Sequence, residues 1–303
     1  VYYGIKPFIP RKFLLYIRGR YVLQQRLRNQ ANWPILESAG RPPVPWTGWP
    51  NGKQFAFVLT HDVDTEKGHE KCRELISLEE DLGFRSSFNF VPEDYVVDET
   101  LREYLVNHGF EVGVHGLKHN GNMFRSKKYF LEKAAKINGY LNKWHAVGFR
   151  APCMYHNLEW IQHLDISYDA STFDTDPFEP QSDGAGTIFP FRYQKDTSRR
   201  GYIELPYTLP QDFTLFILMG EKSIDLWKRK LDWIYKQGGM ALLNTHPDYI
   251  CFNGEKPDYN EYPARYYAEF LNYIKARYEG KYWHSLPREV AHFWKTSLGR
   301  EKI

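Results

Sequence analysis

The chain has 303 residues, of which 42% are hydrophobic and 25% charged, enough for one sizeable core and within the range of a single α/β barrel. Cys72, Cys153 and Cys251 are too few and too scattered for a disulfide framework, which favours a reducing compartment, and no apolar run approaches the roughly 18 residues of a membrane span. The net charge of +3 hides an asymmetry: Lys6, Arg11, Lys12, Arg18, Arg20, Arg26 and Arg28 precede the first acidic residue, Glu37, leaving 33 basic against 37 acidic residues and a net of −4 for the rest. The basic character is thus a feature of the N-terminal stretch and gives no support for nucleic-acid binding by the body, so no nucleic-acid partner is expected.

Residues 1–52 read as an arm set apart from a main domain over 53–303. Within the arm, the basic and aromatic stretch 12–27 predicts an amphipathic helix, and the Pro/Trp-rich segment 41–52 predicts an extended strap over the body. Such a basic helix can remain solvated, contact an assembly complex, or rest peripherally on an anionic membrane. No signal peptide with an uninterrupted apolar centre is visible, so the expected location is the cytoplasm or the inner face of the membrane.

From residue 55 onward, seven apolar runs alternate with amphipathic segments: 55–62, 86–92, 110–116, 146–152, 166–172, 202–208 and 240–246. Several are continuously apolar, as in parallel strands covered on both faces. The segments 69–82, 98–107, 126–144 and 224–237 predict helices, with Gly83 and Gly109 placed to end the first two. The alternation argues for a parallel barrel or a doubly wound sheet. The Pro/Gly-rich span 174–201 is too long for an ordinary connection and is expected to fold over the mouth of the barrel. The aromatic share of 17% suits a thick core, or surfaces that stack on sugar rings.

Chemistry-bearing residues collect where these runs end, the place where a parallel barrel gathers its site. Thr60-His61-Asp62-Val63-Asp64 places two carboxylates two residues apart, so that one can bind metal while the other remains a free base; the alternative is a turn that caps the next helix. In Val114-His115-Gly116-Leu117-Lys118-His119 two histidines stand four apart, and one helical turn would put both imidazoles on one side for a metal. With Asp64 they make a two-His, one-carboxylate set, suited to Zn first, and to Co, Fe, Ni or Mn; an isolated pair at this spacing also arises by chance. Arg150 is placed to lie beside Asp62 and hold it ionised, or to make an interstrand salt bridge. His246 is a candidate general acid with Asp169 orienting it, and is as readily a structural residue. Asp174, Asp176 and Arg192 in the long span are candidate substrate contacts. Glu204 is either a substrate contact or a paired structural carboxylate, and Asp248 reads as a turn cap. The histidines without a motif, His61 among them, read as structural.

Taken in order, THDVD, HGLKH, FRAP, SYDASTFD and LLNTHPD resemble the five motifs of the polysaccharide deacetylases of the NodB-homology type, over residues 55–249. The resemblance implies an irregular barrel of seven β/α units, a catalytic divalent metal, a carbohydrate substrate, and hydrolysis of N-acetyl groups on amino sugars of a cell-wall polysaccharide or exopolysaccharide. By motif, Asp62 matches the base, Asp64, His115 and His119 the metal ligands, Arg150 the residue orienting the base, His246 the acid and Asp169 its support. Val63 separates the two aspartates, as in a subgroup that includes enzymes acting on other amides. Cys153 stands where many members carry Tyr, and its backbone N–H would serve the oxyanion. The competing readings are a metal-dependent amidase or O-deacetylase using the same atoms, and a non-catalytic glycan-binding or scaffolding barrel.

Overall fold

The computed structural model describes residues 10–252, 254 and 256–298; Lys6 and the other eight residues at the start of the expected arm lie outside them. In chain order the first half comprises α1 (Arg11–Arg28), β1 (Phe55–Val63), α2 (Glu66–Glu70), α3 (Cys72–Leu82), β2 (Ser87–Phe90), α4 (Glu99–Asn107), β3 (Glu111–Val114), α5 (Lys127–Lys143), β4 (Gly148–Phe149), α6 (Leu158–Ile161) and β5 (Tyr168–Asp169). There follow β6 (Phe191–Tyr193), β7 (Tyr202–Glu204), a π-helical turn (Phe213–Leu218), α7 (Asp225–Gln237), β8 (Met240–Thr245), β9 (Ile250–Cys251), β10 (Tyr262–Pro263), α8 (Ala264–Tyr278), β11 (Tyr282–His284) and α9 (Pro287–Leu298).

β1 reads FAFVLTHDV and is buried along its whole length, because neighbours cover both its faces. One edge pairs in parallel with β8, from Ala56 opposite Met240 to His61 opposite Thr245. The other edge is shared: Phe55 to Phe57 pair with β11, and Thr60 to Val63 pair with β2. The parallel order continues through β3, β4, β5 and β7, with β6 antiparallel on β7. Beyond β7 the chain returns to β8, where the amides of Thr208 and Leu209 both donate to the Leu242 carbonyl at 3.0 and 3.1 Å and Leu209 bridges Leu243. The curled sheet thus approaches closure; seven of its eight parallel strands coincide with the seven expected apolar runs, β1 running one residue longer, and the eighth, β11, falls in no expected run. β4, β5 and β7 are only two or three residues long, which makes the barrel irregular.

The helices follow their sequence signals with adjustments. α3 ends on Gly83, whose φ of 76° is the left-handed cap glycine takes at least cost. The expected helix over 69–82 starts earlier, at Glu66, and breaks at Lys71. Asp98 caps α4 by accepting from Thr100 N, and Ser126 caps α5 by accepting from Tyr129 N.

Most aromatic side chains pack into the core. At the end of the barrel where β1 begins, Phe55 meets Tyr278 with ring centroids 5.5 Å apart, and Phe57 meets Phe84 at 5.8 Å. The Pro/Trp-rich strap lies here: Trp46 and Trp49 pack on Trp294 of α9, and Trp49 Nε1 donates to the Gly238 carbonyl at 2.8 Å. Next to the core, His61 Nε2 lies 2.8 Å from Glu79 Oε1 and its Nδ1 2.7 Å from Thr245 Oγ1. Ser86 and Tyr267 also donate to Glu79. Burial alone would raise this carboxyl, but His61 and these donors hold it below its ordinary range. His61 therefore ties β1 to α3 and α8, as a structural residue.

Candidate active site

Asp62 and Asp64 stand two residues apart at the end of β1, so their side chains share one side of the chain while Val63 enters the core. Asp62 Oδ1 accepts from Asn89 Nδ2 at 2.9 Å and Oδ2 accepts from Asn244 Nδ2 at 2.8 Å. Arg150, fully buried, lies beside Asp62 as expected, with Nε 3.6 Å from Oδ1 and Nη2 donating to Thr60 Oγ1 at 3.1 Å. The guanidinium therefore acts on Asp62 through its charge. Burial pushes the Asp62 carboxyl up, but Arg150, His115 and His246 outweigh it and keep the group below the usual carboxylate range. Asn89 reaches Asp62 because its neighbour is Gly113: a Cβ there would lie 2.1 Å from Asn89 Oδ1.

Asp64 is surrounded by imidazoles, with Oδ1 3.5 Å from His115 Nε2 and 3.3 Å from His119 Nε2. One ligand atom from each of the three residues falls within 4.8 Å of the others. His115 Nδ1 donates to the Arg150 carbonyl at 3.0 Å, leaving the Nε2 lone pair for a metal, the usual role of such a partner. Asp248 accepts from Asp64 N at 3.1 Å and from Thr65 Oγ1 at 2.5 Å, so it fixes the loop, as a turn cap does. The histidine pair differs from expectation in one respect. Residues 115–120 are not helical. Gly116 takes φ 66° against Pro152, and the loop, held by Asp94 accepting from His119 N at 2.6 Å, brings the two rings to 5.3 Å.

His246 is held by Asp212, and here the structure corrects the expectation of Asp169. Asp212 accepts from His246 Nδ1 at 2.7 Å and from His246 N at 2.8 Å, while Tyr262 donates to the same carboxylate at 3.0 Å. Burial alone would lower the imidazole, but Asp212, with Asp64 and Asp62 behind it, raises it to about 10. Asp169 accepts instead from Ser171 Oγ at 2.6 Å and sits opposite Glu204 across β5 and β7. Glu204 accepts from the amide and hydroxyl of Thr172 at 3.0 and 2.6 Å. Burial, and for Glu204 the neighbouring Asp169, push both carboxyls up. They form a paired structural unit, which decides the open reading of Glu204.

These groups face a cavity of about 160 Å³ whose lining includes Asp62, Asp64, His115, His119, Cys153 and His246. Cys153 and Met154 are consecutive non-glycine residues with φ of 57° and 55°, sparsely populated geometry that is characteristic of functional sites. Among the described residues, no acceptor meets Cys153 N–H. Asp174 and Asp176, expected to contact substrate, are buried elsewhere and do not line the cavity. Asp174 pairs with Lys230 at 2.5 Å, and Asp176 accepts from Tyr207 at 2.8 Å. The long span divides: Phe178, Glu179 and Pro180 reach the cavity, whereas Arg192 lines a larger one of about 840 Å³ beside β7, β11 and α9. Among the described residues, that larger cavity holds no cluster of metal-ligating groups.

Several lining or supporting residues escape sequence reasoning. Asn89 and Asn244 had a signal, a lone amide inside an otherwise apolar strand. Asp212 precedes the apolar run of the π-helical turn, whose first amide it accepts at 2.8 Å, and nothing local links it to His246. Glu179 accepts from Gln211 at 2.5 Å and Tyr207 at 2.8 Å, and burial pushes it up to about 7. Arg18 comes from α1, which packs over the mouth: Gly19 leaves no room for a Cβ beside the Leu218 carbonyl, and the Arg18 guanidinium lies 5.2 Å from the Phe213 ring centroid.

No protein-family profile matches the sequence, and no curated protein resembles it. Solved structures do match. A protein described as a polysaccharide deacetylase from Mycobacterium smegmatis superposes with a TM-score of 0.66 at 18% identity, over 85% of this chain and 96% of the other. One from Pseudomonas aeruginosa PAO1, similarly described, gives 0.60 at 15% identity, over 84% and 95%. The PuuE allantoinase gives 0.60 at 14% identity, over 85% and 95%. The chain therefore has the irregular β/α barrel fold of the NodB-type deacetylases, which the allantoinase shares.

Proposed function

We propose that this chain is a metal-dependent hydrolase that removes N-acetyl groups from amino sugars of a polysaccharide. The observation that carries the reading is convergence on one small cavity: a three-residue metal set, a carboxylate held ionised outside that set, and an imidazole held cationic by a buried carboxylate.

The donor set fits a divalent cation. Asp64 Oδ1 is buried with no hydrogen-bond donor and faces two imidazole nitrogens, a costly arrangement unless a cation shares it. Asp64, His115 and His119 would hold it, with Zn favoured and Co, Fe, Ni or Mn also suited. When bound, such a cation supplies Lewis acidity to an acyl carbonyl and to water.

The chain's own groups supply the proton transfers. Each Asp62 oxygen accepts one amide hydrogen bond and keeps a second lone pair, so Asp62 can take a proton from water without giving up its Asn partners. Arg150 keeps it anionic until then. Cys153 N–H is a backbone donor for the oxygen that gains charge. His246 binds Asp212 through Nδ1 and so presents Nε2–H to the departing amine. Arg18 adds a cation at the rim for polar or anionic groups of the glycan.

A second reading is a metal-dependent amidase or O-deacetylase; the amidase is favoured by the allantoinase, whose TM-score of 0.60 equals that of the Pseudomonas aeruginosa deacetylase. Acetate release from chitooligosaccharides, peptidoglycan fragments and O-acetylated exopolysaccharide, with metal supplied, separates the two. N-acetyl hydrolysis that disappears in Asp62→Asn is expected. Turnover of only O-acetyl esters or other amides would select the second reading. No hydrolysis of any of them would leave a glycan-binding scaffold.

A further inference from the structure

Helix α1 has two apolar faces, and among the described residues only one is covered. Its inner face buries Gly19 and Val22 against the barrel and brings Arg18 to the cavity. On its outer face Phe13, Tyr16, Ile17, Tyr21 and Leu27 stand 48–70% exposed. At 100° per residue these five fall on one side, with Arg20 and Arg28 among them. Arg11, Lys12, Arg20 and Arg28 are all exposed, and no acidic residue occurs on the helix. Contiguous exposed apolar surface of this kind marks an interaction site.

We infer that this outer face rests on an anionic lipid surface, the aromatic and aliphatic side chains entering the headgroup boundary and Arg20 and Arg28 meeting lipid phosphates. Charge decides the occupant. Two copies of this chain docked through the face would bring four like charges together with no acidic residue on either helix, whereas anionic lipid neutralises them and accepts the apolar side chains as well. Arg and Lys stems can lie along the apolar surface with their heads in the headgroup layer. Because the inner face of the same helix closes the cavity, lipid docking would hold the cavity mouth about one helix diameter, ~10 Å, from the headgroups. Taken with the deacetylase reading, on which this clause rests, the substrate is a glycan displayed at the membrane surface.

Co-sedimentation of the full chain with vesicles tests the inference without using activity. Binding to vesicles of 30% phosphatidylglycerol in phosphatidylcholine should exceed binding to phosphatidylcholine alone at least tenfold, and should fall as strongly when salt is raised from 0.1 to 0.5 M. The triple variant Phe13→Gln, Ile17→Gln, Leu27→Gln and the double variant Arg20→Glu, Arg28→Glu should each lose at least tenfold in partitioning, with melting temperature and metal binding unchanged. Equal or absent binding to both vesicle types overturns the inference. So does a dimer in solution that the triple variant dissociates.

Discussion

The Asp212 clamp on His246 is the part of the site most open to a quantitative test. Asp212→Asn keeps the shape of the side chain and removes its charge, leaving His246 in a buried place where desolvation pulls its pKa down. The rise from 6.5 to about 10 corresponds to on the order of 5 kcal/mol in favour of the cationic ring. Asp212 heads the attractive contributions, with Asp64 and Asp62 supplying the remainder. Breaking a buried pair from one side costs about 3 kcal/mol or more, so in Asp212→Asn His246 should titrate roughly two units lower, near pH 8. The assay is a nitrogen-15 NMR titration of histidine-labelled protein, with His246→Asn for assignment. Since the folded pKa lies above the unfolded value, the pair's stabilisation is fully present below about pH 6.5 and is lost as pH rises through about 10. Urea unfolding of the wild type should show that loss, and Asp212→Asn should show little of it. Asp169→Asn is the control and should leave His246 unmoved. A His246 titration within half a unit of wild type in Asp212→Asn would refute the argument.

The metal set makes a linked prediction. Burial lowers His115 and His119, but Asp62 and then Asp64 raise His115, and Asp64 raises His119, above the ordinary imidazole value, so loading at pH 6.5 should release protons and affinity should fall as pH falls. Calorimetry in buffers of different ionisation enthalpy measures this, and a His115→Ala variant that still binds one cation with unchanged affinity would contradict the assignment. Gly113→Ala should push Asn89 off Asp62 and lower kcat about tenfold or more, on the scale of one hydrogen bond to a charged group, with Asn89→Ala behaving alike; full activity in both would show that Asn89 does not aim the base. Glu79→Ala strips the acceptor from His61, Ser86 and Tyr267 and should cost about 3–5 kcal/mol in urea unfolding. Activity per folded molecule should be retained, and an unchanged unfolding midpoint would count against the network.

The electrostatics separate two kinds of buried carboxyl. Asp62, Asp64 and Glu79 are kept anionic by cationic neighbours or donors. Asp169, Glu204 and Asp176 are pushed up by burial. Only Asp62 and Asp64 among these six face the cavity. A carboxylate that is buried, anionic and adjacent to open space is what both a base and a metal ligand require.

The sequence by itself determined the seven strand runs and the cavity-facing Asp62, Asp64, His115 and His246. The reason is physical: a covered parallel strand must be apolar throughout, so the polar residues at its end stand out, and a spacing of two or four is local geometry. Local geometry also misled once. His115 and His119 were expected on a helix, yet Gly116 turns the chain and the loop brings the rings together. What only the tertiary structure decided are the contacts between segments far apart in the chain: Asp212 rather than Asp169 on His246, Asn89 and Asn244 on Asp62, Asp174 on Lys230, and Arg18 over Phe213. Each depends on strand order, barrel closure and the path of the arm. The hydrogen-bonded pairs among these lie 27 to 182 positions apart, a separation at which residue spacing carries no information about distance.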